Sequence, residues 1–406
     1  MPKRADCRLC GSRKLTLFLD LGKTPLAGHF PTKNELGNEK LYPLEVFFCE
    51  NCTSVQVLES IPSEILFKDY RYLSSVSKTL TEHFTAYAKD IYNRYIPKGG
   101  FVVEFGCNDG VLLKPFKALG ATTLGVEPAS NIAKIGREHG LEIINDFFSE
   151  RLAERIAKEH GKADVIAGNN VYAHIDDMDG VTKGIKKLLA KNGVFVFEVH
   201  YVASIILGLQ YDMIYHEHMM YHSLRALKTF LEKHGLEIFD VERVPIHGGS
   251  IRVFSCHHGE MKVEPRVREL LAFEHENGLD SINGYNKFAG RVEEHKKKMV
   301  ANLQELKSSG KRIAGYGMSG RANTMLNYWG TGRDIIDFGI DASPERFSRF
   351  VPGLHIPIRP PGNLDGIDIV VLLSWTYKKE IMEKEKEFAK RGGRFLVPFP
   401  EPHLEP

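Results

Sequence analysis

Two pairs of cysteines are the first residues in this chain whose types and spacing could do chemistry. Cys7 and Cys10 form one C-x-x-C, and Cys49 and Cys52 form a second. Two such turns can aim four thiolates at the corners of a tetrahedron, which is what a closed structural zinc site requires. No histidine is spaced to join them as a further ligand. Two unrelated redox pairs are the alternative. Cys107 and Cys256 stand apart from the quartet and from each other. The quartet therefore marks a metal-stapled module at the start of the chain and leaves the remainder to carry the reaction.

A glycine turn offers the next site. Glu104-Phe105-Gly106-Cys107-Asn108-Asp109-Gly110 follows the apolar run FVVEF and opens into VLLKPFKAL. Gly106 and Gly110 allow the backbone to approach a ligand and turn sharply into a helix. Glu127 ends the following strand, where a carboxylate can accept both hydroxyls of a ribose. Asp146 and Phe147 come at the end of a third strand. The turn lacks the G-x-G-x-x-G spacing that seats a dinucleotide pyrophosphate, and a strand-to-helix turn without ligand is the plain alternative. Nothing is spaced to activate Cys107, so it reads as a small buried thiol.

Histidines supply the acid–base candidates. Asn169 and His174 lie in GNNVYAH, directly after a fourth strand, where an open α/β sheet places its ligand crevice. Tyr215-His216-Glu217-His218 forms Y-H-E-H. Its histidines are two apart, not the four that put both on one helix face, which disfavours a zinc-protease site. A near-neutral imidazole suits removal of a proton from a carbon beside a ketone. An adjacent carboxylate can orient it, and a tyrosine hydroxyl can donate to the oxyanion that develops. Solvated loop histidines are the competing explanation. His200 and Tyr201 also end a strand and are expected to shape a pocket without reacting.

A second glycine loop, Gly315-Tyr316-Gly317-Met318-Ser319-Gly320, matches G-x-G-x-x-G, and Asp341 ends the next strand. This permits an NAD(P)-dependent oxidoreductase as a rival function, although the pattern alone is weak. The helix start with Arg321 could instead hold a diphosphate. Ser250 and Arg252, in HGGSIR, could do the same from the middle of the chain.

The elements that must position these groups follow from patterning. Residues 1–65 alternate short β-like runs with Gly and Pro, too little core to fold without a metal. Residues 66–260 alternate two-sided apolar strands (FVVEFG, TTLGVEP, LEIIND, ADVIAGNN, GVFVFEV, LEIFDVE) with amphipathic helices, the mark of a mostly parallel covered sheet. Residues 261–406 open with a charged helical stretch over 266–309 and continue as a second α/β unit. The fold class is therefore α/β in three parts. At 406 residues, 43% hydrophobic, 26% charged and net charge +2, the chain is of ordinary globular composition. That charge gives no basic field for nucleic acid or membrane, so an anionic substrate must be caught by placed groups. The N-terminus lacks a signal-peptide apolar core and no run is long enough to span a bilayer. Cytoplasmic location is expected, and a monomer is compatible with the sequence.

The motifs taken together resemble a known family. The turn EFGCNDG, the acidic strand ends and Asp146-Phe147 resemble the core of class I S-adenosylmethionine methyltransferases. The ordered set C-x-x-C…C-x-x-C, LGKTPLAGHF, DYRYLSS, EFGCNDG, GVEPASN, GNNVYAHI, YDMIYHEH, HGGSIR and GYGMSGRANTML resembles, over nearly the whole chain, the three-domain zinc-containing sugar C-methyltransferases. The resemblance implies S-adenosylmethionine and structural zinc as cofactors. It implies a nucleotide-linked 4-keto-deoxysugar as substrate, methylated at carbon (C-3) through an enolate. Glu104 or Asn108 would sit by the amino acid end of the donor, Asp146 by its adenine amine and Phe147 against the ring, with Asn169 a further donor-binding residue. His218 would be the base, although spacing leaves His216 open. Tyr215, Glu217, His174 and Tyr70 would complete the sugar pocket, with Tyr72 beside them. Gly317, Gly320 and Arg321 would support the nucleotide. Methylation of oxygen or nitrogen on a sugar nucleotide remains the nearest alternative.

Overall fold

The structure, a computed structural model, describes residues 3–62, 66, 73–362 and 364–406. It is built on three sheets. In the first, β1 (Leu15–Thr24), β2 (Tyr42–Cys49) and β3 (Val55–Val57) run antiparallel in that order. Its fourth strand comes from far along the chain: β9 (Met220–Tyr221) pairs with β3, Val55 opposite Tyr221 and Gln56 opposite Met220. The patterning above did not predict β9, because two paired residues carry no periodicity.

The second sheet contains β4 (Phe101–Phe105), β5 (Thr122–Val126), β6 (Ile143–Ile144), β7 (Ala163–Ala167), β8 (Leu189–His200), β10 (Leu236–Val244) and β11 (Ser250–His257). Their spatial order is β10-β11-β8-β7-β4-β5-β6. β11 is antiparallel to both its neighbours, and the pairs from β8 to β6 are parallel. Val102, Val103, Val165 and Ile166 have no exposed surface, as strands covered on both faces require. LEIIND was expected to be a longer strand. Only its two isoleucines pair, while Asn145 turns its amide to the carbonyls of Glu127 and Pro128.

The charged stretch over 266–309 is two helices, Pro265–Glu276 and Ile282–Ser308, broken at Gly278, whose φ of +69° favours glycine. The third sheet has β12 (Ile313–Tyr316), β13 (Phe338–Ile340), β14 (Ile358–Arg359), β15 (Ile369–Leu372), β16 (Arg394–Val397) and β17 (His403–Glu405), in the order β14-β13-β12-β15-β16-β17. Only β17 is antiparallel.

The three parts share cores. Phe18 and Phe48 of the first sheet pack on Tyr285 of the long helix, with ring centroids 5.1 and 5.0 Å apart. The Arg8 guanidinium, buried beside the metal module, donates to Asp176 Oδ1 at 3.0 Å and to the Val57 carbonyl. The first module therefore completes its small core on its neighbours as well as on the metal. Among the described residues no helix is long and apolar enough to cross a membrane.

Candidate active site and metal centre

The four cysteines converge. The sulfurs of Cys7, Cys10, Cys49 and Cys52 all lie within 4.8 Å of one another. Each C-x-x-C closes a turn in the same way: Gly11 N donates to Cys7 O and Thr53 N to Cys49 O, both at 2.9 Å. Gly11 and Thr53 take the left-handed φ (71° and 61°) that such turns need. Gln56 Nε2 lies 3.1 Å from Cys7 Sγ, a donor aimed at the thiolate. Four thiolates with a supporting donor and no open ligand position fit structural zinc.

The donor crevice forms at the C-terminal ends of β4, β5 and β7. Gly106 has φ +62°, and a Cβ there would run into Val171. Asn108 N and Ala129 N each donate to the Glu127 carboxylate at 2.9 Å, which fixes its orientation. Glu104 is 4% exposed, and burial pushes its carboxyl well above the ordinary range. Its Oε2 and the neighbouring Asn169 Nδ2 are both buried, and Asn169 opposes the upward push on the Glu104 carboxyl. Asn169 Oδ1 is fixed by Glu198 N at 3.0 Å. A buried carboxylate is costly to keep charged unless a cation or further donor meets it. The ammonium of a donor's amino acid end is such a group, so these residues fit S-adenosylmethionine. Asp146 and Phe147 are exposed beyond β6, where the Phe147 ring (41% exposed) is open to stack on a base. Cys107 is buried against Gly125 and burial raises its thiol, in keeping with a packing role.

The histidine segment is gripped from three sides. From the third sheet's domain, Arg321 Nε and Nη2 donate to Asp212 Oδ2 at 2.8 and 2.5 Å. Trp375 Nε1 donates to the same oxygen at 3.0 Å. Thr324 Oγ1 donates to Ile214 O at 2.9 Å, and Trp329 Nε1 to Tyr211 Oη at 2.6 Å. From the metal module, Val57 N donates to Met219 O at 2.9 Å. From the central sheet, the Ala173 carbonyl accepts from Met219 N at 2.8 Å.

Within that grip the two histidines of Y-H-E-H separate. His216 turns to the metal module, its Nε2 donating to Pro43 O at 3.0 Å. His218 faces inward, with ring centroids 4.8 Å from His174 and 5.1 Å from His200. Its Nδ1 lies 3.3 Å from the Met213 carbonyl. A carbonyl only accepts, so Nδ1 carries the proton and Nε2 keeps a lone pair, facing Tyr215 Oη at 3.0 Å. Burial first, and the neighbouring His174 second, hold His218 well below its ordinary pKa. Nδ1 of His174 donates to Glu217 O at 2.6 Å. The Glu217 carboxyl is pushed up to about 7 by burial, against an opposing pull from Arg346. Its Oε1 lies 2.8 Å from where a Cβ on Gly28 would stand.

Other expected residues are placed differently. Ser250 Oγ donates to Ile246 O at 3.2 Å, and the buried Arg252 binds Glu198 Oε1 at 2.9 and 2.7 Å while covering the Tyr87 ring. Both groups are therefore already partnered within the protein. Tyr70 and Tyr72 lie outside the described residues. The second glycine loop is closed to a dinucleotide. Met318 packs on Gly315 and Gly339, Gly320 abuts Ala27 of the metal module, and Gly317 (φ +88°) faces Ser374. The Asp341 carboxylate is committed to Arg346 at 2.9 Å and to Ser343 N at 2.8 Å. Arg321 remains 20% exposed at its side chain beside this turn, held by Asp212.

Two residues that were not expected to react also border the cluster. His200 Nε2 is buried without a partner among the described residues. His247 packs on His200 at 5.2 Å from a strained φ of 54°. Isolated histidines carry no spacing signal; the glycine pair after His247 was the available hint.

A parallel sheet with one antiparallel insertion, a donor crevice at its strand ends and a four-cysteine module define a metal-stapled methyltransferase. Sequence comparison narrows this. Residues 7–67 match the family described as "Putative zinc binding domain", 80–241 a "Methyltransferase domain", and 245–400 a "C-methyltransferase C-terminal domain". The chain is 36% identical over 404 residues to C-methyltransferase NovU of Streptomyces niveus, covering 98% of this chain and 96% of that protein. A ubiquinone biosynthesis O-methyltransferase of Bartonella tribocorum is 26% identical over 155 residues, covering 34% of this chain and 61% of its own. The magnesium protoporphyrin IX methyltransferase of Synechocystis, solved with bound S-adenosylhomocysteine, overlaps with a TM-score of 0.36 at 11% identity, over 48% of this chain and 91% of that one. The chain belongs to the C-methyltransferase family. It is an S-adenosylmethionine-dependent enzyme with a structural zinc site.

Proposed function

We propose that the enzyme methylates C-3 of a nucleotide-linked 4-keto-deoxysugar through an enolate. The observation that carries the reading is the inward-facing, neutral His218 with its Nε2 lone pair in the histidine cluster. The ketone acidifies the neighbouring C–H, and His218 Nε2 takes that proton. Tyr215 Oη, which donates to Nε2 in the resting site, turns to the developing oxyanion. Glu217, with its raised pKa, is protonated in part near neutrality and can donate to the same oxygen. His174, oriented by the Glu217 carbonyl, lines the sugar pocket; for Tyr70 and Tyr72 a part in sugar binding is supported by the motif resemblance alone. Gly317, Gly320 and Arg321 border the nucleotide. When bound, S-adenosylmethionine supplies an electrophilic methyl on a sulfonium. Glu104, Asn108, Asn169 and Glu127 orient it, with Gly106 and Gly110 giving close backbone approach and Asp146 and Phe147 at its adenine. Positioning of the two carbons then supplies much of the rate. The motif resemblance supports a sugar as the carbon acid.

The test is incubation with methyl-labelled donor and a panel of nucleotide 4-keto sugars, with NMR location of the new methyl. Methyl on C-3, and deuterium exchange at C-3 from solvent without donor, are expected. A methyl found on oxygen or nitrogen, with no exchange at carbon, overturns the enolate reading.

A further inference from the structure

β9 joins the metal module to the reacting segment, and one buried side chain stands at the junction. Gln56 has no exposed surface. Its Oε1 accepts from Arg8 N at 3.0 Å, so its Nε2 must point the other way, to Cys7 Sγ and Ser54 Oγ, both at 3.1 Å. Its backbone lies opposite Met220 in the β3–β9 pair. At the next residue of β9, opposite Val55, Tyr221 Oη accepts from Tyr215 N at 3.2 Å. Met219 O accepts from Val57 N at 2.9 Å, and Met219 N donates to the Ala173 carbonyl at 2.8 Å, beside His174. A three-residue strand paired with a two-residue strand has few bonds of its own to hold its register.

We propose that Gln56 is a positioning residue for the methyl transfer. It ties the orientation of β3 to the metal-bound Cys7 thiolate, and β3 in turn sets β9 and the placement of Tyr215 and His218. The zinc site is thereby part of what aligns the base, as well as a fold staple. An amide hydrogen-bonded to a ligating sulfur is the kind of outer-shell contact whose loss costs about 10- to 100-fold in metal affinity or activity. The inference rests on the reading of Tyr215 and His218 as the reacting pair.

The experiment uses the zinc-loaded full chain carrying Gln56→Leu or Gln56→Glu. Gln56→Glu keeps the acceptor for Arg8 N and removes the donor to sulfur, so it serves if the leucine variant fails to fold. Zinc content, amide hydrogen exchange of residues 55–57 and 219–221 without substrate, donor affinity, and kcat against KM are measured. At full zinc occupancy the Gln56 variants are expected to exchange faster at 219–221 and to lose about 10-fold or more in kcat. Donor affinity should stay unchanged. Gln56 variants with full zinc and parental exchange at 219–221 overturn the proposal. A parent enzyme that turns over no keto sugar refutes the substrate reading instead, and leaves the exchange measurements to judge Gln56 separately.

Discussion

At the scale of single residues, the Y-H-E-H motif divides its labour by direction. His218 and His216 are both buried, but only His218 meets the other histidines, while His216 is spent on the Pro43 carbonyl. General base catalysis is worth about 10²- to 10⁴-fold. His218→Asn should therefore abolish solvent exchange at the substrate α-carbon to that extent while calorimetry finds unchanged donor binding. His216→Asn should keep exchange within about 10-fold of the parent, the scale of a lost outer-shell contact; a loss as deep as that of His218→Asn would reassign the base. The pH dependence separates the carboxyl from the imidazole. His218 is held well below 6.5, so the base stays deprotonated as pH falls through that value. Glu217, raised to about 7, loses its proton as pH rises through neutrality. The α-carbon exchange profile should show an inflection near 7 that vanishes in Glu217→Gln, and no inflection near 6.5. An inflection near 6.5 that survives Glu217→Gln would assign the ordinary histidine value to the base and contradict the burial argument.

At the scale of elements, what was legible in the sequence was what repeats locally. The two C-x-x-C turns, the two-sided apolar strands β4, β5, β7 and β8 and the turn at Gly106 each have a spacing or period, and each stands where that pattern placed it. β9 has neither, and its pairing to β3 is a tertiary event between residues 160 positions or more apart, visible only in the folded chain. Arg252 looked available in HGGSIR because sequence does not display Glu198 beside it. The loop LGKTPLAGHF of the metal module was legible as a motif but not as a wall. In the structure Ala27 abuts Gly320 and Gly28 abuts Glu217, so this loop closes the site between the other two parts. The oxygen of Glu217 would stand 2.8 Å from a Cβ at residue 28, closer than carbon tolerates. Gly28→Ala should therefore displace the Glu217 carboxyl and lower kcat several-fold, with donor affinity unchanged. Steady-state kinetics beside calorimetry reads this split. Parental kcat in a folded Gly28→Ala would mean that Glu217 has room to move without consequence.

At the scale of the whole molecule, the metal module and the long helix Ile282–Ser308 each supply what the other lacks. A sheet of this size buries too little to stand alone, so its free energy of folding is shared between metal ligation and borrowed contacts. One borrowed contact is Tyr285, fully buried against Phe18 and Phe48, with its hydroxyl donating to Leu279 O at 2.9 Å. Truncating a buried aromatic costs about 3–5 kcal/mol. Because zinc binding and module folding draw on the same equilibrium, part of that cost must appear as weaker zinc retention, although Tyr285 ligates nothing. Tyr285→Ala is thus expected to lower the melting temperature and also to release zinc faster to a chromogenic chelator. Restoring volume with Tyr285→Phe, which loses only the hydroxyl, should recover most of both. If Tyr285→Ala melts earlier yet releases zinc at the parental rate, the module folds on its metal independently of the helix. The contact between them would then be docking alone, because a module that shared its stability with the helix could not lose about 3–5 kcal/mol without loosening its hold on the ion.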